Sequence, residues 1–170
     1  MSDDKTSINA VLKKRLLAAS TAGAMALAGV LVNWFEGRVY KPYVDPAGIL
    51  TVCEGITGPD VIPGKTYTDA ECDRLRGKHL AIAQAAVKQV IKVPLNPWQQ
   101  AALIDFTFNL GAERLAGSTM AKLFNQGNYT GGCYQLTQWV KARVKGRLVT
   151  LNGLVYRRDA ELAVCLGRIE

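Results

Sequence analysis

A single histidine, His79, and four cysteines with no CxxC pair leave this chain without the ligand spacing of a zinc site. It has no P-loop, no finger spacing and no basic motif interleaved with aromatics, so the usual nucleotide and nucleic-acid signatures are missing. No metal, no organic cofactor and no nucleic-acid partner is expected. Acids are also scarce: 14 Asp and Glu stand against 21 Lys and Arg, a formal net charge of +7. Such a balance suits an anionic partner, whether nucleic acid, membrane surface or acidic wall polymer. The cations are scattered (Arg74, Arg76, Lys88, Lys92, Lys141, Arg143, Lys145, Arg147, Arg157, Arg158), so a generally cationic solvated surface explains them as well.

What is present fits one domain. With 170 residues, 49% of them hydrophobic, the chain can bury a core and is not a disordered sequence. Cys53, Cys72, Cys133 and Cys165 form an even, widely spaced set, as in a protein with two disulfides in an oxidising compartment. Three pairings are open. The first choice is Cys133 with Cys165, both in the C-terminal helical region, which leaves Cys53 with Cys72.

Residues 16–35, from Leu16 to Phe35, carry no charge and follow Lys13, Lys14 and Arg15. A basic flank before an uncharged stretch of bilayer-spanning length reads as an export or anchor signal. Half of the stretch is Ala, Gly, Ser or Thr. Its seven strongly apolar residues supply roughly −2 to −4 kcal/mol for insertion, a marginal value. Three readings compete: a buried globular helix, a signal peptide cleaved at Ala26-Leu27-Ala28, or a weak anchor able to leave the membrane.

Beyond it, residues 38–67 read as short strands and turns, with turn chemistry at Asp45-Pro46-Ala47-Gly48 and a returning strand from Ile49 to Cys53. A capping box at Thr68 and Glu71 opens a long helix whose Leu80, Ala83, Val87 and Ile91 share a face. Asn96-Pro97 starts a buried helix, glycines punctuate shorter ones, and a last helix is expected from about Leu154 to Leu166. The order is that of an α+β protein with a small β-containing lobe, a larger helical lobe and a cleft between them.

Glu36, Asp45 and Thr51 lie within sixteen residues at the exit of the uncharged stretch. Glycosidic cleavage needs a proton for the leaving oxygen and help for the attacking water, which two carboxyls in unlike environments can supply. Glu36 follows Trp34 and Phe35 at a helix end, where partial desolvation favours the acid form; Asp45 lies in a polar turn; Thr51 offers a hydroxyl to orient water. Spacing alone is also compatible with solvated surface acids.

The surrounding words narrow the choice. Glu36-Gly37, Tyr43-Val44-Asp45, Gly48-Ile49-Leu50-Thr51-Val52-Cys53 and Thr57-Gly58 resemble the T4-type phage lysozymes, glycoside hydrolase family 24, whose E-x8-D-x5-T pattern falls on Glu36, Asp45 and Thr51. Phe108-Asn109-Leu110-Gly111, Ser118-Thr119, Gln138-Trp139 and Gly153-Leu154-Val155-Tyr156-Arg157-Arg158 resemble the family's later motifs, in order, over about residues 33–166. With its upstream segment the chain is similar to the signal-anchor-release endolysins of lambdoid phages. The resemblance implies a lysozyme-like fold and a monomeric muramidase acting on peptidoglycan. It implies residues 1–35 as a releasable anchor and 36–170 as the catalytic domain. The enzyme would be tethered through residues 16–35 at the periplasmic face of the host inner membrane, freed into the periplasm when a holin-type protein depolarises it. Asn109 and Arg157 become substrate-site candidates, Arg157 as an ion-pair partner of Glu36; helix C-cap and helix-start surface charge are their plain structural alternatives.

One departure stands out. Where the family often has G-H-T-G, this chain has Gly55-Ile56-Thr57-Gly58. Elsewhere the readings are plain: His79 an exposed helix residue, Trp98 and Trp139 core, Glu54 a solvated strand residue. A lytic transglycosylase and a non-catalytic membrane- or wall-binding protein are the rival functions.

Overall fold

The computed structural model describes residues 8–169. Asn9 caps the first helix by accepting from Val11 N, and α1 (Ala10–Ala19) buries Leu12 and Leu16. The uncharged stretch is not one helix. It breaks at a 3-10 turn (Ser20–Ala22) and at Gly23, whose φ of +89° suits glycine. It resumes as α2 (Ala24–Glu36), with Leu27, Ala28, Leu31 and Val32 forming one buried stripe. None of the described helices is long and apolar enough to cross a membrane.

The strands β1 (Val39–Val44) and β2 (Leu50–Cys53) make an antiparallel hairpin in which Tyr43 faces Thr51 and Val44 faces Leu50. The long helix α3 (Asp69–Val90) opens with the reciprocal Thr68–Glu71 capping box. The helix α4 (Pro97–Leu110) opens with Asn96 and Gln99 capping one another and Pro97 in the first turn. Every residue from Ala101 to Thr107 is buried, because α4 is enclosed by α2, α3 and the last helix. Short helices follow: α5 (Ala112–Ala116), α6 (Thr119–Asn125) and α7 (Tyr129–Tyr134). A second antiparallel hairpin, β3 (Lys141–Val144) and β4 (Arg147–Thr150), then leads into α8 (Asn152–Cys165).

That second hairpin differs from the sequence expectation, which places β structure only in residues 38–67. Its turn is Lys145-Gly146, both with positive φ, the geometry that a right-handed strand twist favours in a two-residue hairpin. Two cores result. The larger gathers α1, α2, α4 and α8 side chains around Leu27, Leu31, Leu103, Phe106 and Leu162. The smaller holds Val52, Cys53, Ile56, Val61, Tyr67, Cys72 and Leu75. Phe108 packs against both, at the junction of the lobes. Cys53 is bonded to Cys72 and Cys133 to Cys165, the pairing favoured from the sequence, and no described cysteine is free. Ile56 is buried in the small core and bridges to Val52, so an apolar side chain occupies the position of the family's histidine.

Candidate active site

Glu36 is the last residue of α2, and Gly37 closes the helix by donating its N–H to Asn33 O. The Glu36 side chain is 23% exposed. Its Oε1 accepts from Arg157 Nη1 at 2.5 Å. Its Oε2 lies against Gly55, where an added Cβ would sit 3.0 Å away and where φ is +70°. Glycine therefore lets the end of the small-lobe hairpin close onto the carboxyl of the large lobe.

Asp45 sits at the hairpin corner. Its Oδ1 accepts from Ala47 N at 2.8 Å and Ile49 N at 2.9 Å, so the turn is tied to one oxygen while Oδ2 carries no hydrogen bond to the described residues. Thr51 is buried on β2, and its Oγ1 donates to Ile49 O at 3.0 Å. Asp45 N also donates to Ile49 O, and Tyr43 is the cross-strand partner of Thr51. With side chains alternating along a strand, Asp45 and Thr51 become diagonal neighbours on one face. With its hydrogen committed to Ile49, Thr51 Oγ1 keeps only acceptor capacity for a further partner.

Below Glu36 lies a buried charged cluster. Arg157 forks onto Asp105, Nε to Oδ2 at 3.0 Å and Nη2 to Oδ1 at 2.8 Å, a bidentate match of guanidinium and carboxylate. The same guanidinium stands 5.3 Å over the Phe35 ring, whose other neighbour is Tyr156, edge-on at 5.6 Å. Arg158 donates from Nη2 to Asn109 Oδ1 at 2.5 Å and approaches Glu161 at 3.1 Å. Asp105, Arg158 and Glu161 are fully buried. Burial works against each charge here, and the outcome differs by partner. For Arg157, Asp105 with Glu161 and Glu36 outweigh burial and hold the guanidinium above its ordinary range. Asp105 is likewise pulled below the usual carboxylate range by Arg157 despite its burial. For Glu161 burial wins, and its carboxyl is pushed well above that range.

Arg157 is thus buried and paired with Glu36 and Asp105 rather than a helix-start surface charge. Asn109 lies in the last turn of α4; the C-cap is Gly111, whose N–H donates to Thr107 O. Arg158 occupies the Asn109 carbonyl oxygen, leaving its amide nitrogen for another partner.

Glu54 corrects the expectation of a solvated strand residue: its side chain is 0% exposed. Its Oε1 accepts from Arg38 Nε at 2.9 Å and Nη2 at 2.5 Å, with Arg76 Nη1 at 3.3 Å and Asn33 Nδ2 at 3.4 Å. Arg38 continues to Asp69 and Asp73 at the start of α3. The Cys53–Cys72 bond carries the signal for this, since it drags the neighbouring Glu54 onto that helix end. Asp105, under the site, has no such mark in the sequence. His79 is half-buried rather than exposed. It lines a recess of about 210 Å³ with Gly55, Thr57, Thr107 and Phe108. A wider recess of about 1030 Å³, between α1, α2 and the start of α3, includes none of Glu36, Asp45 or Thr51. The smaller recess also lacks those three side chains, and of the wider one's arginines Arg38 and Arg76 are paired with acids while Arg15 stands over the Trp34 ring. Cys53, Glu54 and Cys72 converge closely enough to suggest a metal, but both sulfurs are used in the disulfide.

Residues 33–161 match the model of the family described as phage lysozyme. The SAR-endolysin of Bacteriophage PS119 is 41% identical over 161 residues, covering 91% of this chain and 94% of that protein. The SAR-endolysin of Enterobacteria phage P21 is 39% identical, covering 91% and 95%. Among solved structures, the endolysin from Escherichia coli O157:H7 phage FAHEc1 superposes with a TM-score of 0.77 at 33% identity, covering 83% of this chain and 91% of that one. A helix-end glutamate, a hairpin aspartate and threonine, and these likenesses over nearly the full length agree: the chain belongs to the phage lysozyme family of lysozyme-type glycosidases.

Proposed function

We propose that the protein is an endolysin that hydrolyses the β-1,4 bond between N-acetylmuramic acid and N-acetylglucosamine in peptidoglycan. Glu36 gives its proton to the glycosidic oxygen as the C1–O bond breaks. A water held between Asp45 Oδ2 and Thr51 Oγ1 adds its oxygen to C1 and passes its proton to Asp45. The freed configuration is inverted. The observation that carries this reading is the placement of Glu36: Arg157 holds one carboxyl oxygen and the other abuts Gly55, at the end of the strand that bears Thr51. Asn109 adds an amide donor for the substrate. The test is digestion of purified wall by Glu36→Gln and Asp45→Asn, with product analysis by mass spectrometry and NMR. Loss of a general acid should lower turnover by about 10²–10⁴-fold, with an α-anomer as the first product of the unaltered protein. An anhydro-sugar product would instead identify a lytic transglycosylase, and undiminished lysis by Glu36→Gln would leave a non-catalytic protein.

The same reading extends to control. Residues 1–35 act as a signal-anchor-release segment, holding the enzyme at the periplasmic side of the inner membrane until a holin-type protein dissipates the potential. Magnitudes support release. Leu12, Leu16, Leu27, Leu31 and Val32 are fully buried against the domain, which at about 1.5–3 kcal/mol per side chain exceeds the roughly −2 to −4 kcal/mol of insertion before ordering entropy is subtracted. Glu36 ends the same helix, so residues that leave the bilayer also deliver the acid. Thr21→Leu with Ala22→Leu adds apolar weight at two exposed positions and should delay lysis. Unchanged timing with unchanged in vitro activity would remove the anchor reading.

A further inference from the structure

The β3–β4 hairpin carries charge that the fold does not use. Between Glu113 and Asp159 the sequence has no acid, and the ten residues 141–150 include Lys141, Arg143, Lys145 and Arg147. Four of the net seven positive charges therefore lie on one two-stranded ribbon. None of the four forms an ion pair with a described residue; Arg143 alone makes a side-chain hydrogen bond to one, donating to Gly146 O across the turn. In the small lobe, by contrast, Arg38, Lys65, Arg76 and Lys78 each meet a carboxylate.

The hairpin also contributes nothing to either core. A two-stranded ribbon is marginal in water, and like charges crowded on it weaken it further. The pairs Lys141–Thr150 and Arg143–Leu148 put Lys141, Arg143, Leu148 and Thr150 on one face, all exposed, with Leu148 at 60%. On the other face Ala142 and Val149 are half-buried, while Val144 and Arg147, nearer the turn, are exposed. One face is thus free, cationic and partly apolar.

Its position relates it to the chemistry. Leu151 N donates to Val140 O and closes the root of the hairpin, and Leu151 is also the N-cap of α8. Arg157, which holds Glu36, is the sixth residue of α8, about 8 Å along the helix from its start at 1.5 Å per residue. The cationic face and the acid stand on the same end of one helix.

We propose that this hairpin is a specificity element that binds the carboxylates of the peptide stems on the wall strand seated at Glu36, with Lys141 and Arg143 pairing the acids and Leu148 covering peptide methyl groups. The inference rests on the glycosidase reading above. It favours wall peptide over a membrane because a bilayer against this face would crowd the end of the helix that positions Glu36.

The experiment uses the full chain and two substrates: native sacculi, and sacculi whose stem carboxylates have been converted to amides. Lys141→Gln and Arg143→Gln are combined, and a charge-keeping control exchanges the same two between Lys and Arg. Circular dichroism checks that the fold is kept. For the unaltered protein, amidation should raise KM about fivefold with kcat unchanged, the effect of two exposed pairs. The neutral variant should show that raised KM on both substrates, and the control should behave as the unaltered protein. Equal KM of the unaltered protein on the two substrates, or a neutral variant still sensitive to amidation, overturns the proposal. Hairpin-dependent binding to anionic phospholipid vesicles with an unchanged KM on sacculi also overturns it, assigning the face to a membrane. If the unaltered protein cleaves neither substrate, the glycosidase reading itself fails first.

Discussion

Replacing Asp105 by Asn removes one carboxylate from beneath the site and leaves the Arg157 guanidinium buried, with Glu36 and the more distant Glu161 as its remaining acids. Two charge-assisted bonds at 3.0 and 2.8 Å are lost inside a fully buried cluster. Breaking such a pair from one side costs about 3–5 kcal/mol, because the survivor stays desolvated. For a chain of this length each kcal/mol moves Tm by roughly 2–4 °C, so calorimetry at pH 7 should show a fall of about 6–20 °C. Turnover should fall as well, since the fork that orients Arg157 also orients Glu36. The pH dependence has a definite sign. Asp105 is held below the usual carboxylate range, so its stabilisation is present above its unfolded value, about 3.9, and is lost as pH falls through the lower folded value. The gap between variant and parent should persist down to about pH 4 and close only below it. A Tm within about 2 °C of the parent at pH 7 would refute the claim that this pair secures the site.

Glu161→Gln has the opposite sign: burial raises the Glu161 carboxyl, so its folded form is favoured in acid and loses ground as pH rises. The variant should match the parent near pH 4 and melt higher at pH 8; a lower Tm at both would contradict the assignment. Gly55→Ala puts a methyl 3.0 Å from Glu36 Oε2 at a φ of +70°. It should lower kcat more than it lowers affinity for wall fragments, and unchanged kcat would count against the close approach. Removing the Cys133–Cys165 bond, which spans 32 residues, should cost about 4 kcal/mol in urea unfolding; a loss under about 1 kcal/mol would mean that the unfolded chain gains little freedom there.

Much of the small lobe was legible in the sequence because its instructions are local. Asp45 announces its turn by chemistry that acts over four residues, and Thr68–Glu71 and Asn96–Gln99 cap helices within a span of three. The E-x8-D-x5-T spacing could be read for the same reason. Periodicity likewise marked the buried faces of α3 and α4. It did not mark β3 and β4, where Lys and Arg alternate with apolar residues on a ribbon whose faces are both largely solvated. Glu54 was misplaced because its neighbours look like an ordinary strand end, while its partners Arg38 and Arg76 arrive from 16 and 22 residues away.

By itself the sequence determined where chains of local preference begin and end: the helix that stops at Glu36, the corner at Asp45, the caps, and a set of cysteines that could pair. Only the tertiary structure decided which charges meet. Arg157 reaches Glu36 across 121 residues and Asp105 across 52, and no short-range pattern encodes such pairings. Burial then sets their consequences: it leaves Asp105 charged beside a guanidinium and pushes Glu161 toward neutrality a few ångströms away. Desolvation is a property of the whole fold, felt by a side chain only after every layer around it has closed.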